Sequence, residues 1–529
     1  MAKTRRKFIT IDCETDPFKY GRIPKPFLWG CYDGKNFLYF NDTNKFASWL
    51  EDQDVWAFAH NGGKFDFHFL TEYFIEGKPK IINGRIVEIK LGKCTLRDSY
   101  AIMPVPLAAY EKTKIDYEML EANVRADHMQ EIISYLKDDC VYLYDMIEKY
   151  FENAGRKITL ASNALAKSKA LGIDPGRTNK RYDEKFRRFY FGGRCQAFRR
   201  GEFHNIDIFD IKSAYPYAMT FNHPSGNAIR LTTKLHEKSR GQQCFWKIKC
   251  NSLGAFPVRE KAGLSFPHVY GEFHVTGWEL YAALENELID NFQIIEGYEF
   301  YDEINFSEYV TYWFAQKEMA EKSGDKINRL ISKLMLNSLY GKLCQNPENF
   351  MDYKIVPKNS DIEKNWNLEC ILRNSEIHSR IKSVELKERL GEDYANHNQF
   401  INVATGASIT GFVRAMLIET IAKCGAENVI YCDTDSVFTR AGTGPKISDS
   451  IGGWQLEAQA ETLYIAGKKL YAARLDDGKE KIASKGVQLN FDEIRQICGG
   501  NIVTWSSNAP SFNLTGSTKF VKRRIARSI

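Results

Sequence analysis

None of the twelve cysteines forms a Cys-x-x-Cys pair or recurs at a regular spacing, which argues against a zinc ribbon or a disulfide framework and for a reducing compartment. No stretch is apolar enough to span a membrane. The first apolar run, Phe8 to Ile11, is cut short by Asp12, so no signal peptide is expected. Internal repeats and low-complexity segments are also missing. Charge of one sign is not dominant: 73 basic against 67 acidic residues leave +6, which allows a nucleic-acid partner without demanding one. The basic residues that do cluster, Lys3 to Lys7 and Lys522 to Arg524 with Arg527, read as solvated tails, the more common case, or as phosphate-contacting arms. What remains is a folded chain of 529 residues, 43% hydrophobic, enough for about three to five units. Its 13% aromatic content suits base stacking and large cores alike.

The most informative stretch is Tyr431-Cys432-Asp433-Thr434-Asp435-Ser436. β-Prone residues lie on both sides, so it reads as a tight hairpin whose strand alternation turns Asp433 and Asp435 toward one region. Carboxylates that close repel unless a cation lies between them, and hard oxygen donors suit Mg²⁺ or Mn²⁺. Taken alone, such a tripeptide also caps ordinary turns.

Acids recur in the N-terminal part. The strand Phe8 to Thr15 carries Asp12 and Glu14 on one face, and a second short strand, Val55 to His60, opens into Asn61-Gly62-Gly63-Lys64-Phe65-Asp66 and a helical pattern. A later helix places Tyr135 and Asp139 at i and i+4. Four carboxylates spread over three elements, with a tyrosine beside the last, resemble the DEDD-type exonuclease module. In that module the acids hold two metal ions about 3.5–4 Å apart and the tyrosine helps place the attacking water. The same resemblance implies that Ser99 and Tyr100 bind single-stranded DNA, although Tyr stands where Leu is usual, and that Lys112 supports the nuclease site.

Residues 155 to 185, basic and polar with a turn at Asp174-Pro175-Gly176, read as a domain boundary. A strand then delivers Asp210, followed by a turn with Tyr215 before Pro216. The helix Lys326 to Tyr340 aligns Lys326, Arg329, Lys333, Asn337 and Tyr340 along one stripe, with Ile327, Leu330, Ile331, Leu334 and Ser338 as the packing side. Cations beside an aromatic suit a nucleoside triphosphate. Two intervals carry no nameable motif: about 222 to 310, rich in β-prone aromatics and expected to pack on its own, and 345 to 402, expected to be an excursion or a helical arm. Basic patches with adjacent aromatics follow at Lys468-Lys469-Leu470-Tyr471 and Ser484-Lys485.

In this order, the motifs resemble the protein-primed family B DNA polymerases of bacteriophages, and Phe189 to Ala197 and Ala404 to Gly411 resemble the tectivirus-type enzymes in particular. The resemblance implies an α/β and α+β multidomain fold: an RNase H-like 3′–5′ exonuclease domain (1–158), then a right-hand polymerase. Its parts would be palm (159–221 and 403–485), a first terminal-protein-region insertion (222–309), fingers (310–344), a second insertion (345–402) and thumb (486–529). Asp210 and Asp435 would ligate the catalytic metals with Asp433 completing the cluster, two ions per active site. Tyr215 would lie under the sugar and exclude a 2′-hydroxyl, Arg329, Lys333 and Asn337 would face the triphosphate, and Tyr340 would pack on the nascent pair. Lys469, Tyr471 and Lys485 would hold the primer strand, Thr410 and Arg414 would touch DNA, and Tyr190, Gly192 and Gly193 would pass the strand between the two sites. Asn61 and Phe65 would contact the strand being degraded.

The expected partners are template and primer DNA, dNTPs and a terminal protein, which a single-stranded-DNA-binding protein could join; a monomer in the host bacterial cytoplasm is expected. A polymerase primed only by nucleic acid fits less well, because the interval from Asp210 to Lys333 leaves room for the first insertion. A nuclease without polymerase activity, or a scaffold with decayed sites, would lack palm acids that are all present.

Overall fold

The computed structural model describes residues 6–107, 113–261, 263–399, 401–515 and 518–526. Lys112, Lys3 to Arg5 and Arg527 lie outside them. The N-terminal part is built on a seven-stranded sheet ordered 37–40, 26–32, 8–15, 56–59, 94–98, 85–91 and 80–82. Phe8–Thr15, Trp56–Ala59 and Cys94–Asp98 run parallel at its centre, and the flanking strands are antiparallel. Parallel strands need both faces covered, and both are. Phe46, Ala47 and Leu50 of the helix Thr43–Glu51 pack with Ile11 and Trp29 on one face. The other face receives Met129–Asn153, whose Ile132, Leu136 and Cys140 recur every four residues and bury against Leu28. This is the RNase H-like arrangement.

Residues 155–185 are folded into the body of the molecule. The helix Leu160–Ala170 packs into a core shared by the Met129–Asn153 helix, the finger helices and the palm. The palm itself is an antiparallel sheet ordered 480–484, 470–475, 454–467, 201–211, 436–440, 429–433 and 195–197, so segments from both sides of the two insertions interleave. Beneath it runs the almost wholly buried helix Val403–Cys424. The fingers are two helices, Ser307–Ser323 and Lys326–Leu343, reversed at Gly324, whose φ of 71° lies in the left-handed region that glycine adopts without strain.

The first motif-free interval forms a four-stranded antiparallel sheet with its own core of Trp246, Ile248, Phe256, Phe273, Val275 and Leu280. The second is neither a loose excursion nor a helical arm. It is a three-stranded sheet, ordered 351–357, 375–381 and 367–371, followed by the helix Lys382–Leu390. Its charge sits on the outer face and in that helix, while Ile355 and Ile377 join the core of the N-terminal part. Ile355 and Gly77 exchange backbone hydrogen bonds, and Arg373 pairs with Glu72 at 2.6 Å. The chain ends in the helix Phe491–Cys498 and a hairpin of 503–506 with 522–525. Among the described residues no helix is long and apolar enough to cross a membrane.

Candidate active sites

In the palm, Asp433 faces Ser436 across a turn made by Thr434 and Asp435. Thr434 takes the left-handed conformation, φ 63°, and the Asp435 N–H donates to the Asp433 carbonyl at 2.7 Å. The turn, rather than strand alternation, therefore sets where the two aspartates point. Asp210 lies opposite Ser436 on the neighbouring strand, and the Ile211 N–H donates to the Asp435 carbonyl at 2.8 Å, which brings Asp210 beside Asp435. Burial, and next the charge of Asp435, push Asp210 up to about 7; burial, and next Asp433, push Asp435 up to about 6. Asp433 is the carboxylate felt by Asp435, and it has a cation of its own. Its carboxylate meets Lys469 Nζ at 3.0 Å and accepts from the Tyr431 hydroxyl at 3.4 Å. A further acid, Glu457 on the adjoining strand, raises both Asp210 and Asp435 and pairs with Lys481 at 2.5 Å. No motif marked it, because it stands in an ordinary alternating strand.

Tyr215 and Tyr340 stack with centroids 4.3 Å apart and planes 9° from parallel. They join the palm turn to the finger helix beside Asp435, whose charge is felt by both phenols. Lys333 is exposed about two turns before Tyr340, and its charge reaches Asp210. Arg329 pairs with Glu321 at 2.8 Å, and Asn337 donates to the Lys333 carbonyl at 2.8 Å. Lys326, Arg329, Lys333 and Asn337 are exposed and Tyr340 is half-buried, but the packing side is rotated: Ile327, Ile331, Met335, Leu336 and Leu339 are buried, whereas Leu330, Leu334 and Ser338 are only half-buried.

Four expected DNA contacts sit elsewhere than anticipated. Thr410 is buried and donates within its own helix to the Ala407 carbonyl at 3.1 Å. Arg414 is fully enclosed, with its guanidinium on Glu279 and on the carbonyls of Phe191 and Gly192. Tyr471 is buried against Tyr431 and Phe438. Ser99 is buried too; it meets His60 Nδ1 at 2.9 Å and donates to the Ala59 carbonyl. None of these four side chains stands at the surface. Lys469 and Lys485 do lie together at the surface end of the palm, joined by the Lys485 N–H to the Lys469 carbonyl at 3.0 Å. Tyr190 is half-buried, Gly192 is exposed, and Gly193 abuts Thr434.

The N-terminal acids open on a cleft of about 1000 Å³ lined by Asp12, Glu14, Asp66, Tyr135 and Asp139 together with Asn61, Phe65 and Tyr100. The helix after Gly62–Lys64 is 3-10 rather than α, Asp66–Tyr73, which brings Asp66 in under the first strand. Burial is the largest influence that pushes Asp66 up to about 6, and its Oδ1 is buried without a hydrogen-bond partner. Burial, then Asp139, raises the Tyr135 phenol. Two lining residues carried no sequence signal. Arg85 donates to Asn61 Oδ1 at 2.8 Å, pairs with Asp98 at 2.6 Å and lies over the Tyr100 ring. Phe512, from the C-terminal segment, stacks on His68 and packs edge-on to Phe65 and Phe69. Among the described residues no three acidic, His or Cys side chains stand close enough to hold an ion unaided.

The family described as DNA polymerase type B, organellar and viral, matches residues 106–436. The DNA-directed DNA polymerase of Enterobacteria phage PRD1 is 37% identical over 562 aligned positions, covering 99% of this chain and 98% of that protein. The DNA polymerase of Bacillus phage Nf is 22% identical, covering 92% of each. Among solved structures, Phi29 DNA polymerase complexed with primer-template DNA and incoming nucleotide substrates superposes with a TM-score of 0.72 at 18% identity, over 99% of this chain and 100% of that one. The match runs through the nuclease-like part, palm, fingers and thumb in one order, and with more than half the chain inside the family model the protein belongs to the DNA polymerase type B family, organellar and viral.

Proposed function

We propose that this DNA-directed DNA polymerase copies a linear phage genome in the host bacterial cytoplasm, starting from a hydroxyl of a terminal protein, proofreading 3′ to 5′ in the N-terminal cleft and displacing the strand ahead. The observation that carries the reading is the juxtaposition of Asp210 and Asp435 beside the Tyr215–Tyr340 stack, with a second acid-lined cleft elsewhere in the chain. Both acid sets fit divalent cations: hard oxygen donors in the palm, where Asp435 raises Asp210 and Asp433 raises Asp435, and an orphaned, buried Asp66 Oδ1 in the cleft. Mg²⁺, or Mn²⁺, would be held by Asp210, Asp435 and nearby Asp433 in one site and by Asp12, Glu14, Asp66 and Asp139 in the other. Each such ion takes one or two carboxylates and completes its shell from substrate phosphates, so each set would be shared between two ions. When bound they supply charge neutralisation for phosphoryl transfer.

The chain's own residues do the positioning. Lys333 meets the triphosphate of the incoming nucleotide, the Tyr215 ring closes off the space of a 2′-hydroxyl, and Tyr340 supports the new pair. Lys469 and Lys485 hold primer phosphates. In the cleft, Tyr135 orients the attacking water, while Asn61, Phe65 and Tyr100 receive the frayed strand. The first insertion, a unit with a core of its own beside the palm, supports docking of a protein primer.

The test is labelled nucleotide transfer with Mg²⁺, each dNTP, genome-end DNA and the candidate terminal protein, beside an oligonucleotide primer. Label on protein, lost in Asp435→Ala, is expected. Oligonucleotide extension without protein labelling, across several candidate partners, would refute protein priming and leave polymerisation standing. Asp12→Ala or Asp66→Ala should abolish degradation of single strands and spare synthesis; joint loss of both activities would contradict two separate sites.

A further inference from the structure

The segment Tyr190–Arg194 touches the carboxylate turn on one side and the first insertion on the other. Toward the turn, the Thr434 N–H donates to the Arg194 carbonyl at 2.6 Å, and Cys195 pairs with Asp433 in the sheet. Gly193 stands so close that a Cβ there would come within 2.8 Å of the Thr434 side chain. Any movement of this segment is therefore felt at the residue between Asp433 and Asp435.

Toward the insertion, the grip is made of charge. Arg414 Nε and Nη2 meet Glu279 Oε1 and Oε2 at 2.7 and 3.0 Å, and both side chains are 0% exposed. The same guanidinium donates through Nη1 to the carbonyls of Phe191 at 2.6 Å and Gly192 at 2.9 Å. Glu279 belongs to the insertion helix Gly277–Glu285, where it also accepts from the Thr276 N–H and hydroxyl. Two more contacts come from the insertion: Arg259 donates to the Tyr190 carbonyl and lies 4.2 Å over the Phe191 ring, and Phe266 lies under the Arg194 guanidinium at 4.3 Å.

A buried ion pair is a poor source of stability, because desolvation offsets most of the attraction and an apolar pair of like volume often does as well. What an apolar pair cannot do is direct two hydrogen bonds onto chosen carbonyls. We infer that Glu279 and Arg414 are positioning residues for the Asp433–Asp435 turn, through which the first insertion sets the place of the polymerase carboxylates. The inference rests on the assignment of synthesis to Asp210 and Asp435, and predicts that whatever binds the insertion is felt at those acids.

The experiment compares wild type with the double variant Glu279→Leu/Arg414→Met, which keeps the volume but leaves the carbonyls without their donor, and with Arg259→Ala, which lies outside the core. Hydrogen exchange of the metal-free protein in EDTA reads the 430–436 peptide, and primer extension and single-strand degradation are measured separately. In the double variant, exchange at 430–436 should quicken and kcat for nucleotide addition should fall, each by on the order of tenfold, the factor for one lost oriented hydrogen bond. The KM for dNTP and the degradation rate should hold within about twofold of wild type. Arg259→Ala should move the same two readouts in the same direction by less. A folded double variant with wild-type exchange and kcat overturns the inference. If the double variant does not fold, unchanged exchange and kcat in Arg259→Ala overturn it. Synthesis that survives Asp435→Ala would instead sink the underlying assignment, whatever the exchange shows.

Discussion

Replacing Asp435 with Asn should change how stability depends on pH in the metal-free protein. Asp210 is held up at about 7 and Asp435 at about 6, in each case by burial first and a neighbouring carboxylate second. Unfolded, both return to the ordinary range near ~4. Between those limits the folded protein binds more protons than the unfolded chain, so stability is fully present below pH ~4 and is lost as pH rises through 6 and 7. Each tenfold change in proton affinity is worth ~1.36 kcal/mol, and both carboxyls keep contact with water, which cuts the value well below the dry limit. After that discount, ionising the pair costs about 2–3 kcal/mol, or roughly 5–10 °C in the melting of a palm-sized unit. Asp435→Asn removes one charge and the second-largest influence on Asp210. Thermal melts in EDTA from pH 4.5 to 8 should therefore fall less steeply for the variant, by about half. Saturating Mg²⁺ at pH 8 should raise the wild-type midpoint, because an ion at 100 times its Kd adds ~2.7 kcal/mol, and should raise the variant's less. Superimposable pH curves in EDTA, or equal Mg²⁺ stabilisation of both proteins, would refute the reading of these acids as a strained pair awaiting a cation.

Gly63→Ala would place a Cβ 1.9 Å from the Ile86 carbonyl oxygen, a backbone atom that cannot swing away. It should destabilise the N-terminal part by at least about 2 kcal/mol, seen as an earlier melt and an early loss of single-strand degradation. Phe512→Ala should loosen the aromatic group over Phe65, His68 and Phe69; degradation of single strands should drop severalfold while primer extension is kept, and equal loss of both would count against a role in the cleft. Lys333→Ala should raise the KM for dNTP by about tenfold or more, with Lys333→Arg between it and wild type; a fall in kcat alone, measured by steady-state primer extension, would remove Lys333 from the triphosphate.

What could be read in advance was local. A run of β-prone residues that leads into an acid names both the strand and its cargo, and that suffices for Asp12, Asp210 and Asp433, whereas the aim of Asp435 is set by the turn that follows. A helix face of Ile132, Leu136 and Cys140 likewise names its own buried side and, with it, where Tyr135 and Asp139 stand. The sheet of the second insertion is hidden in the sequence because its charge is dense and the apolar residues that anchor it, Ile355 and Ile377, find their neighbours in another part of the molecule. Arg85 and Phe512 failed to register for the same reason. Their partners in the cleft, Asn61 for one and Phe65 for the other, are 24 and hundreds of residues away, and neither residue sits in a pattern that repeats.

Arg414 teaches a sharper lesson about charge in apolar helices. Val403–Cys424 has apolar or small residues at almost every buried position, and an arginine in such a helix has two physical outcomes: it reaches a solvated edge, or it is enclosed with a counterion. Sequence favours the first, since the counterion cannot be identified locally, and so Arg414 was expected on DNA. Here the counterion arrives from 135 residues earlier, on a helix whose Thr276 packs against Gly411 so tightly that no Cβ would fit between them. That glycine was the available sign. A Gly three residues before a lone arginine in a buried helix marks where another helix approaches closely, and a close helix is where a buried arginine must find its acid. The charge that looked like a contact to substrate is thus a contact between segments, and it joins the insertion to the turn on which the polymerase carboxylates stand.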